Sequence, residues 1–397
     1  MAMFTRRHES GAVSLFIVIF AMLLITVVTL GFLRIMINDQ QQASDADLSK
    51  SAYDSSLAGV EDAKRALIYY RTVCATSDTA TCTAVRNAMN TDVCNAGIAS
   101  VDTTIKAGDV VPVQQSQSAN DSQLNQAYTC VKIALNTPDY VKPLKANTSE
   151  LIPLRATKDF SSVTIQWYSK EDLPTNTTSV DLLSEVKAAA ARPLLSQSNW
   201  VASRPSLLRA QLIQFGSNFT LDSFDAASSS AVNSNANTLF LYPTGNTNMA
   251  STDTDTWSFS ARNTRQVPTG SPQPTKCSGL VTGAGYACSV TLTLPAAVGQ
   301  AADDTTRTAY LRLTPLYNAT HVRVTLSGGA QFDGVQPTID STGRANDLYR
   351  RVESRVNLVD TTFPYPEAAV DLTGNLCKDF VVTDTADSTG AQNKCTP

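Results

Sequence analysis

The sequence predicts an α+β protein in which a long N-terminal helix, half membrane-spanning and half amphipathic, carries a large antiparallel β-sandwich-like head with disulfides. Three observations predict this fold class. An uncharged apolar run near the N-terminus continues into a helix-compatible stretch that lacks proline. About ten short segments rich in β-branched or aromatic residues follow, separated by polar breaks. All 8 cysteines lie beyond the apolar run.

The apolar run predicts one passage through a membrane. Between Gly11 and Arg34 there are 22 residues without a charge, and as a helix they span about 33 Å, against about 30 Å for a hydrocarbon core. Arg6 and Arg7 precede the run and favour a cytoplasmic N-terminus. A cleaved secretory signal is the alternative, but its apolar region has about 7 to 15 residues and ends at small residues. We therefore expect a cytoplasmic leader at 1–11 and a retained transmembrane half-helix at 12–36.

The helix is predicted to continue outside the membrane over residues 37–71. In its second half, small and apolar residues recur at steps of three and four and form a stripe along one face. One interpretation is that this stripe packs against neighbouring helices of identical or related chains, because small residues let helix backbones approach closely. The other is a stalk helix that lies on its own domain. The residues assigned to helix packing are Phe16, Gly31, Ala52, Gly59, Val60, Ala63 and Leu67.

This N-terminal stretch resembles a known family. Gly11 stands directly before the apolar run, and "GAVSLFIVIFAMLLITVVTLGFLRIMINDQQQ" is followed by "YDSSLAGVEDAKRAL". The order of basic leader, glycine, apolar half-helix and Ala/Gly-rich ending is similar to the PilX-type N-terminal region of type IV pilus assembly proteins. The resemblance implies a pilin-like subunit whose partners are other pilin subunits, the pilus assembly platform and the membrane.

The resemblance also implies roles for individual residues. Gly11 occupies the position before prepilin-type cleavage, and Ala12 begins the mature chain. Major pilins carry a glutamate at the fifth mature position, where this chain has Phe16. In such families the absence of this glutamate suits a minor or tip subunit, which has no subunit above it to pair with. It also leaves cleavage of the leader open.

The remainder of the chain divides into a connector and a head. Residues 72–127 are rich in Ala, Thr, Ser and Asn and are predicted to form a disulfide-rich connector. Residues 128–365 are predicted to form the β-rich head. The clearest alternation is "LYRRVESRVNL", in which Val352 and Val356 point one way and Arg351 and Arg355 the other. With "GVQPTID" before it, this segment predicts a hairpin whose longer loop is formed by "STGRAND".

The cysteines predict disulfide bonds in an extracytoplasmic space. Zinc is the alternative, but there is no C-x-x-C motif and only His321 follows the apolar run. Connectivity does not follow from sequence, and pairing neighbours in order is a hypothesis from loop length. A last bridge would close a C-terminal loop within 366–397, which either contacts partners or pins the terminus. The predicted pairs are Cys74–Cys82, Cys94–Cys130, Cys277–Cys288 and Cys377–Cys395.

The sequence predicts no catalytic set, cofactor or metal site, and so no enzyme. A serine triad needs a histidine base, whereas His8 lies in the leader and His321 is predicted to be an exposed strand residue. Asp340 and Asp347 lie around a turn but lack the regular spacing of a calcium loop. The net charge of −4 and the scattered basic residues give no support to nucleic-acid binding.

These features predict a minor or tip type IV pilin-like subunit, inserted in the cell membrane by one helix with a cytoplasmic N-terminus. Its extracellular head is expected to serve adhesion to a host or neighbouring-cell surface, or pilus assembly. The alternative is a signal-anchored extracellular surface protein that binds a ligand and is not part of a pilus. An extracellular hydrolase is the weakest hypothesis.

Overall fold

The N-terminal helix is a single element in the structure, a computed structural model that describes residues 11–75, 79–113, 125–175, 177–182, 197–215, 238–245, 256–258, 273–298 and 308–358. This helix, α1, has 64 residues and runs from Gly11 to Cys74. It is about 96 Å long at 1.5 Å per residue. The prediction of one uninterrupted helix through both halves is confirmed, and the helix extends three residues beyond the predicted end at Arg71.

The described chain after α1 has two short α-helices and is otherwise rich in strands, as predicted, with 3₁₀ turns at Lys170–Asp172, Gln197–Asn199 and Ser327–Gly329. Most of the strands lie in the region predicted to form the head. In chain order the elements are α2 (Thr79–Met89), α3 (Ala96–Ala99), β1 (Val111–Pro112), β2 (Ala127–Thr137), β3 (Asp139–Leu144), β4 (Glu150–Pro153), β5 (Phe160–Ser169), β6 (Leu207–Phe215), β7 (Thr238–Thr244), β8 (Thr256–Ser258), β9 (Gln273–Lys276), β10 (Tyr286–Val298), β11 (Thr308–Leu316), β12 (Thr320–Leu326), β13 (Phe332–Ala345) and β14 (Leu348–Arg355).

The described strands form three sheets. Sheet A has the order β1-β2-β13-β14, sheet B has β3-β12-β5-β10-β8 and sheet C has β4-β11-β6-β7-β9. Neighbouring strands are antiparallel, as predicted, with two departures at sheet edges. Strand β8 is parallel to β10, and β9 is parallel to β7. The head is therefore mainly antiparallel.

The chain leaves sheet A and returns to it much later. Strand β2 ends at Thr137, and after Pro138 the chain enters sheet B at β3. It comes back after β12, and β13 pairs with β2 along most of its length. Sheets B and C are thus built from the segment 139–326, which is inserted between two paired strands of sheet A. The strands at the two ends of the predicted head belong with α1.

Sheet A packs on the second half of α1 through small residues. A Cβ atom at Gly343 of β13 would clash with the backbone of α1 at Ala52 and Ser56. One turn further along α1, a Cβ atom at Gly59 would lie 2.7 Å from a methyl group of Val131. The hydroxyl of Ser341 donates a hydrogen bond to the carbonyl oxygen of Ser56 at 2.7 Å. The backbones of α1 and β13 therefore lie in direct contact, which only small side chains permit.

The connector covers the free edge of β2. Strand β1 pairs with only the first residues of β2. Beyond it, the side-chain Oδ1 of Asn95 accepts a hydrogen bond from the backbone N–H of Val131 at 2.8 Å. The backbone N–H of Asn95 donates to the carbonyl oxygen of Val131 at 2.8 Å. Asn90 accepts from the amide of Leu135 at 3.1 Å. Because unpaired edge groups invite aggregation, these asparagines replace a further strand.

Disulfide bonds hold the connector and part of the head. The structure contains the pairs Cys74–Cys82, Cys94–Cys130 and Cys277–Cys288, which confirms three of the predicted pairings. The first joins the end of α1 to α2, and the second ties the connector to β2. The fourth predicted pair, Cys377–Cys395, lies outside the described residues.

The buried side chains form two main hydrophobic clusters. One contains residues of α1, α2, α3 and sheet A, among them Leu67, Met89 and Ile133. The other contains residues of both sheets B and C, among them Trp167 and Leu311. The inserted segment therefore has an apolar core formed jointly by its two sheets, to which Phe332 and Val335 of β13 also contribute.

A buried carboxylate joins sheet A to sheet B. The side chain of Asp139 is 8% exposed and accepts hydrogen bonds from Nε of Arg323 and Nη1 of Arg355, each at 2.8 Å. Arg355 also donates to the carbonyl oxygen of Asp139 at 3.2 Å. Arg323 is on β12 and Arg355 is on β14, so a single aspartate connects the inserted segment to the helix-bearing sheet.

We expect Asp139→Asn to destabilise the protein. The change removes the charge that two arginines share, and because both arginines are partly exposed we expect a cost of about 2 kcal/mol. Asp340→Asn is the matched control, since its partner Arg351 is 71% exposed, and it should cost less than about 0.5 kcal/mol. Urea unfolding of both variants measures the difference, and equal costs would contradict the role assigned to Asp139.

One predicted turn is wrong. The segment "STGRA" does not form a loop but continues β13, and the hairpin closes with Asn346 and Asp347 between Ala345 and Leu348. Asn346 has φ of 49°, a left-handed conformation that asparagine tolerates better than most residues. The alternation predicted for "LYRRVESRVNL" is confirmed, because Val352 is partly buried whereas Arg351 and Glu353 are exposed.

Candidate functional site

The first half of α1 presents an apolar surface that the protein itself does not cover. Between Leu15 and Ile37 every large apolar side chain is 47% to 73% exposed. The segment is long and apolar enough to cross a membrane. Soluble proteins rarely expose so much contiguous apolar surface, which marks a membrane or interaction site. We therefore take this half of α1 as the candidate functional site.

Two threonines within this half satisfy their hydroxyl groups inside the helix. The hydroxyl of Thr26 donates to the carbonyl oxygen of Met22 at 2.5 Å, and that of Thr29 donates to Ile25 at 2.7 Å. In lipid an unsatisfied donor costs several kcal/mol, on the order of the water-to-alkane transfer cost. These internal bonds make both threonines compatible with an apolar environment.

The predicted residues of this half lie within the helix. Gly11 and Ala12 form its first residues. The side chain of Phe16 is 73% exposed, and a Cβ atom at Gly31 would have no neighbour within 4 Å. The roles assigned to these residues in processing and packing stay predictions.

The structure corrects the role of the other predicted packing residues. Ala52, Gly59, Val60, Ala63 and Leu67 are buried, and the surface that covers them belongs to the same chain. Because Gly59 lies against Val131 and Ser341 of sheet A, no helix of another subunit reaches this stripe in the folded chain. The stripe is the seam between α1 and its own sheet, which was the stalk-helix alternative.

A tyrosine at the same seam is kept protonated both by burial and by a neighbouring carboxylate. Tyr128 of β2 donates a hydrogen bond to Oδ2 of Asp62 at 2.9 Å. Burial raises the pKa of the Tyr128 hydroxyl above its usual range, and the Asp62 carboxylate raises it further. The hydroxyl therefore remains protonated and acts as a donor at any physiological pH.

A second, exposed side of α1 was missed by the periodicity argument. Tyr53, Leu57 and Ile68 are 46%, 37% and 58% exposed. Between them, Nζ of Lys64 donates to Oε1 of Glu61 at 2.6 Å. The available signal was the spacing of 57, 61, 64 and 68, which alternates four and three residues, but the charged residues in the middle hid it.

His321 is not a simple exposed strand residue as predicted. Its Nδ1 atom lies 2.7 Å from Oδ1 of Asp172, and its Nε2 atom lies 3.2 Å from Oε2 of Glu171. The hydroxyl of Ser169 lies 3.3 Å from Oδ2 of Asp172, so the serine bonds the carboxylate and not the imidazole. This geometry positions a 3₁₀ turn against β12 and lacks the serine–histidine contact of a triad.

An aromatic cluster lies at the turn between β11 and β12. The rings of Trp200 and Tyr317 stack with centroids 4.6 Å apart, and Arg204 lies 5.4 Å above the Trp200 ring. Tyr317 has φ of 76°, a strained conformation for a bulky residue. Asn318 fixes the loop by donating to the carbonyl oxygens of Val201 and Arg204 at 2.9 Å. No local pattern indicates this arrangement, because Tyr317 lies far from Trp200 and Arg204 in the chain.

Metal ligands do not cluster in the part of the chain that the structure describes. Over these residues there is no group of three His, Cys, Asp or Glu side chains suited to a metal ion. The carboxylate of Asp340 accepts hydrogen bonds from both Nε and Nη2 of Arg351. Its charge is therefore paired by an arginine.

Comparison of the chain with protein-family models, with curated proteins and with solved structures found no match.

Proposed function

We propose that this protein is a minor or tip type IV pilin-like subunit. The single observation that carries the proposal is α1 itself. One uninterrupted helix has a first half that is apolar and exposed all round and a second half that is built into a folded head. Such a helix stores the chain in a membrane and fixes the distance of the head from it.

The length of the apolar half of α1 supports this role. Residues 12–36 span about 37 Å as a helix, enough to cross a hydrocarbon core of about 30 Å with some tilt. Contacts with the head begin near Leu48 and Ser49, where the helix becomes partly buried. Arg6 and Arg7 favour a cytoplasmic N-terminus, and the disulfides suit an extracellular head.

The resemblance of the N-terminus to PilX-type pilus proteins supports a specific route of processing and assembly. In this proposal the leader is cleaved between Gly11 and Ala12, and the apolar half of α1 passes from the membrane into a bundle of similar helices. Phe16 stands where a major pilin has glutamate, so the chain needs no subunit above it and suits the tip. Its partners are other pilin subunits and the assembly platform.

The head is assigned to adhesion or to the start of assembly. We infer that sheets B and C are the layers of a sandwich, because buried residues of both sheets form one hydrophobic cluster. The inserted segment extends the chain between β2 and β13 without interrupting the seam between α1 and sheet A. A binding surface on this segment can therefore vary without altering the helix.

A second candidate is a signal-anchored surface protein that is not part of a pilus. The observation that favours it is the burial of Ala52, Val60, Ala63 and Leu67 against the chain's own sheet. A helix that serves only as an anchor and stalk requires this seam and nothing more. The two candidates differ in what surrounds the first half of α1.

Purified filaments separate the two candidates. Cells that express the full chain are sheared, and the filament and membrane fractions are analysed by mass spectrometry. We expect the chain in the filament fraction in small amounts relative to the major subunit. A chain found only in the membrane, with its N-terminus intact at Met1, would identify it as the anchored surface protein.

A further inference from the structure

We propose that His321 is a pH-sensitive latch, which fastens the 3₁₀ turn Lys170–Asp172 to β12 while its imidazole ring carries two protons. The latch lies at the end of β12 away from sheet A. At the other end of the strand Thr325 pairs with Asp139, the residue that joins the two sheets. The latch does not involve α1, so it is compatible with both candidate functions.

The carboxylate of Asp172 is the fixed part of the latch. Its side chain is 7% exposed, and its Oδ2 atom accepts the backbone N–H of Ser169 at 2.7 Å and that of His321 at 2.9 Å. Nδ1 of the His321 ring lies 2.7 Å from the other oxygen, Oδ1. An ionised carboxylate only accepts hydrogen bonds, so Nδ1 carries a proton in this contact.

The second carboxylate calls for the second proton. Oε2 of Glu171 lies 3.2 Å from Nε2 of the ring. A neutral imidazole has one N–H, so it can donate to only one of the two carboxylates, whereas the imidazolium donates to both. Imidazole side chains gain and lose the second proton between about pH 5 and 8. Above this range Nε2 and Oε2 are two acceptors that face each other, and Glu171, which is 79% exposed, is free to turn into water.

The other titratable groups that surround the turn keep one charge state over this range. Tyr286 on β10 and Tyr168 on β5 both interact with the carboxylate of Asp172, and burial raises the pKa of each hydroxyl above its usual range. Both tyrosines therefore stay neutral. Lys170, within the turn, is exposed and stays charged. The change in charge is thus confined to the ring of His321.

The cations on the neighbouring strands are already paired. Arg323 points to the same side of β12 as His321, and its Nε atom donates to Oδ2 of Asp139 at 2.8 Å. On β3, Nζ of Lys142 lies 2.6 Å from Oε1 of Glu150. The two carboxylates of the turn therefore depend on the imidazolium for their charge partner.

The turn is followed by a segment that holds two further loops. Within residues 177–182, the backbone N–H of Val180 donates to the carbonyl oxygen of Gly279, in the loop between β9 and β10, at 2.8 Å. The backbone N–H of Asp181 donates to that of Ser203, in the loop before β6, at 3.0 Å. We therefore expect loss of the proton to loosen this segment as well as the turn.

Hydrogen exchange of the full-length chain tests the latch. Protection factors, which correct for intrinsic exchange rates, are compared at about pH 5.5 and about pH 8, on either side of the titration range of imidazole. The latch is closed at the lower pH and opens as the pH rises. We expect the amides of Val180, Asp181 and His321 to be about fivefold more protected at the lower pH. Equal protection at both pH values would overturn the proposal.

Variants at the two histidines assign the effect to one side chain. The chain has 2 histidines, so His8→Gln is the matched control and should keep the full pH difference. His321→Gln should abolish the difference, because glutamine does not change charge. Glu171→Gln alters an exposed side chain and should lower the difference while the chain stays folded. A pH difference that survives His321→Gln, or one that is undiminished in Glu171→Gln, would contradict the latch.

Discussion

Gly343→Ala should prevent α1 from docking on its sheet. The added Cβ atom would meet the carbonyl oxygen of Ala52 and the backbone nitrogen of Ser56, and backbone atoms of a packed helix do not move aside as a flexible side chain does. We expect a loss of about 3 kcal/mol or more in the free energy of unfolding, at the upper end of overpacking costs. Urea unfolding followed by circular dichroism measures it.

Gly279→Ala is the control for this prediction. A Cβ atom at Gly279 would have no neighbour within 4 Å, so the same chemical change should alter stability by less than about 0.5 kcal/mol. Similar stability of the two variants would mean that α1 and β13 are not in backbone contact. That result would also return the small-residue stripe to the surface and reopen its role in packing between subunits.

Removal of the Cys94–Cys130 bond should lower the free energy of unfolding more than removal of either of the other two described disulfides. The bond joins residues 36 apart in sequence, and the chain-entropy relation assigns it about 4 kcal/mol. It also fixes Asn95, which pairs with both backbone groups of Val131. We expect the double variant Cys94→Ala, Cys130→Ala to unfold at lower urea and to expose the edge of β2.

The double variant Cys277→Ala, Cys288→Ala provides the comparison. Its cysteines are 11 residues apart, which corresponds to about 3 kcal/mol by the same relation. Hydrogen exchange adds a local readout, since the amides of Val131 and Leu135 should lose protection only when Cys94–Cys130 is removed. Unchanged protection of these amides in that variant would show that the asparagines hold the edge without the bond.

Much of the fold could be predicted because it depends on local pattern. The apolar run and the absence of proline were enough for α1, and β-branched alternation was enough for the long central strands. The local signal is weakest for β1, β3, β4 and β9, which are not among the segments rich in β-branched or aromatic residues. Each is at the edge of its sheet and contains a proline: Pro112, Pro143, Pro153 and Pro274. Edge strands tolerate proline because one side of their backbone needs no partner, so the local signal for a strand is weakest there.

The error at the small-residue stripe has a different cause. Periodicity identifies which face of a helix is small and apolar, but it does not identify what covers that face. The seam with sheet A depends on Gly343 and Ser341, nearly 300 residues later in the chain than Ala52,. The exposed apolar residues Tyr53, Leu57 and Ile68 were overlooked for the converse reason, because the charged pair of Glu61 and Lys64 between them gave that side of the helix the appearance of a solvated face.

The route of the chain through the three sheets was also beyond local reasoning. Strands β2 and β13 are neighbours in sheet A although the whole of sheets B and C lies between them in sequence. Such pairing depends on long-range burial and leaves no spacing signal. The same applies to Asp139, whose partners Arg323 and Arg355 come from two different sheets.

The central claim is that the first half of α1 is processed and used as a pilin helix. N-terminal sequencing of the protein isolated from its own cells tests it most directly. We predict a mature chain that begins at Ala12, after cleavage of the bond between Gly11 and Ala12. A chain that still begins at Met1, or one cut beyond the apolar run, would contradict the claim.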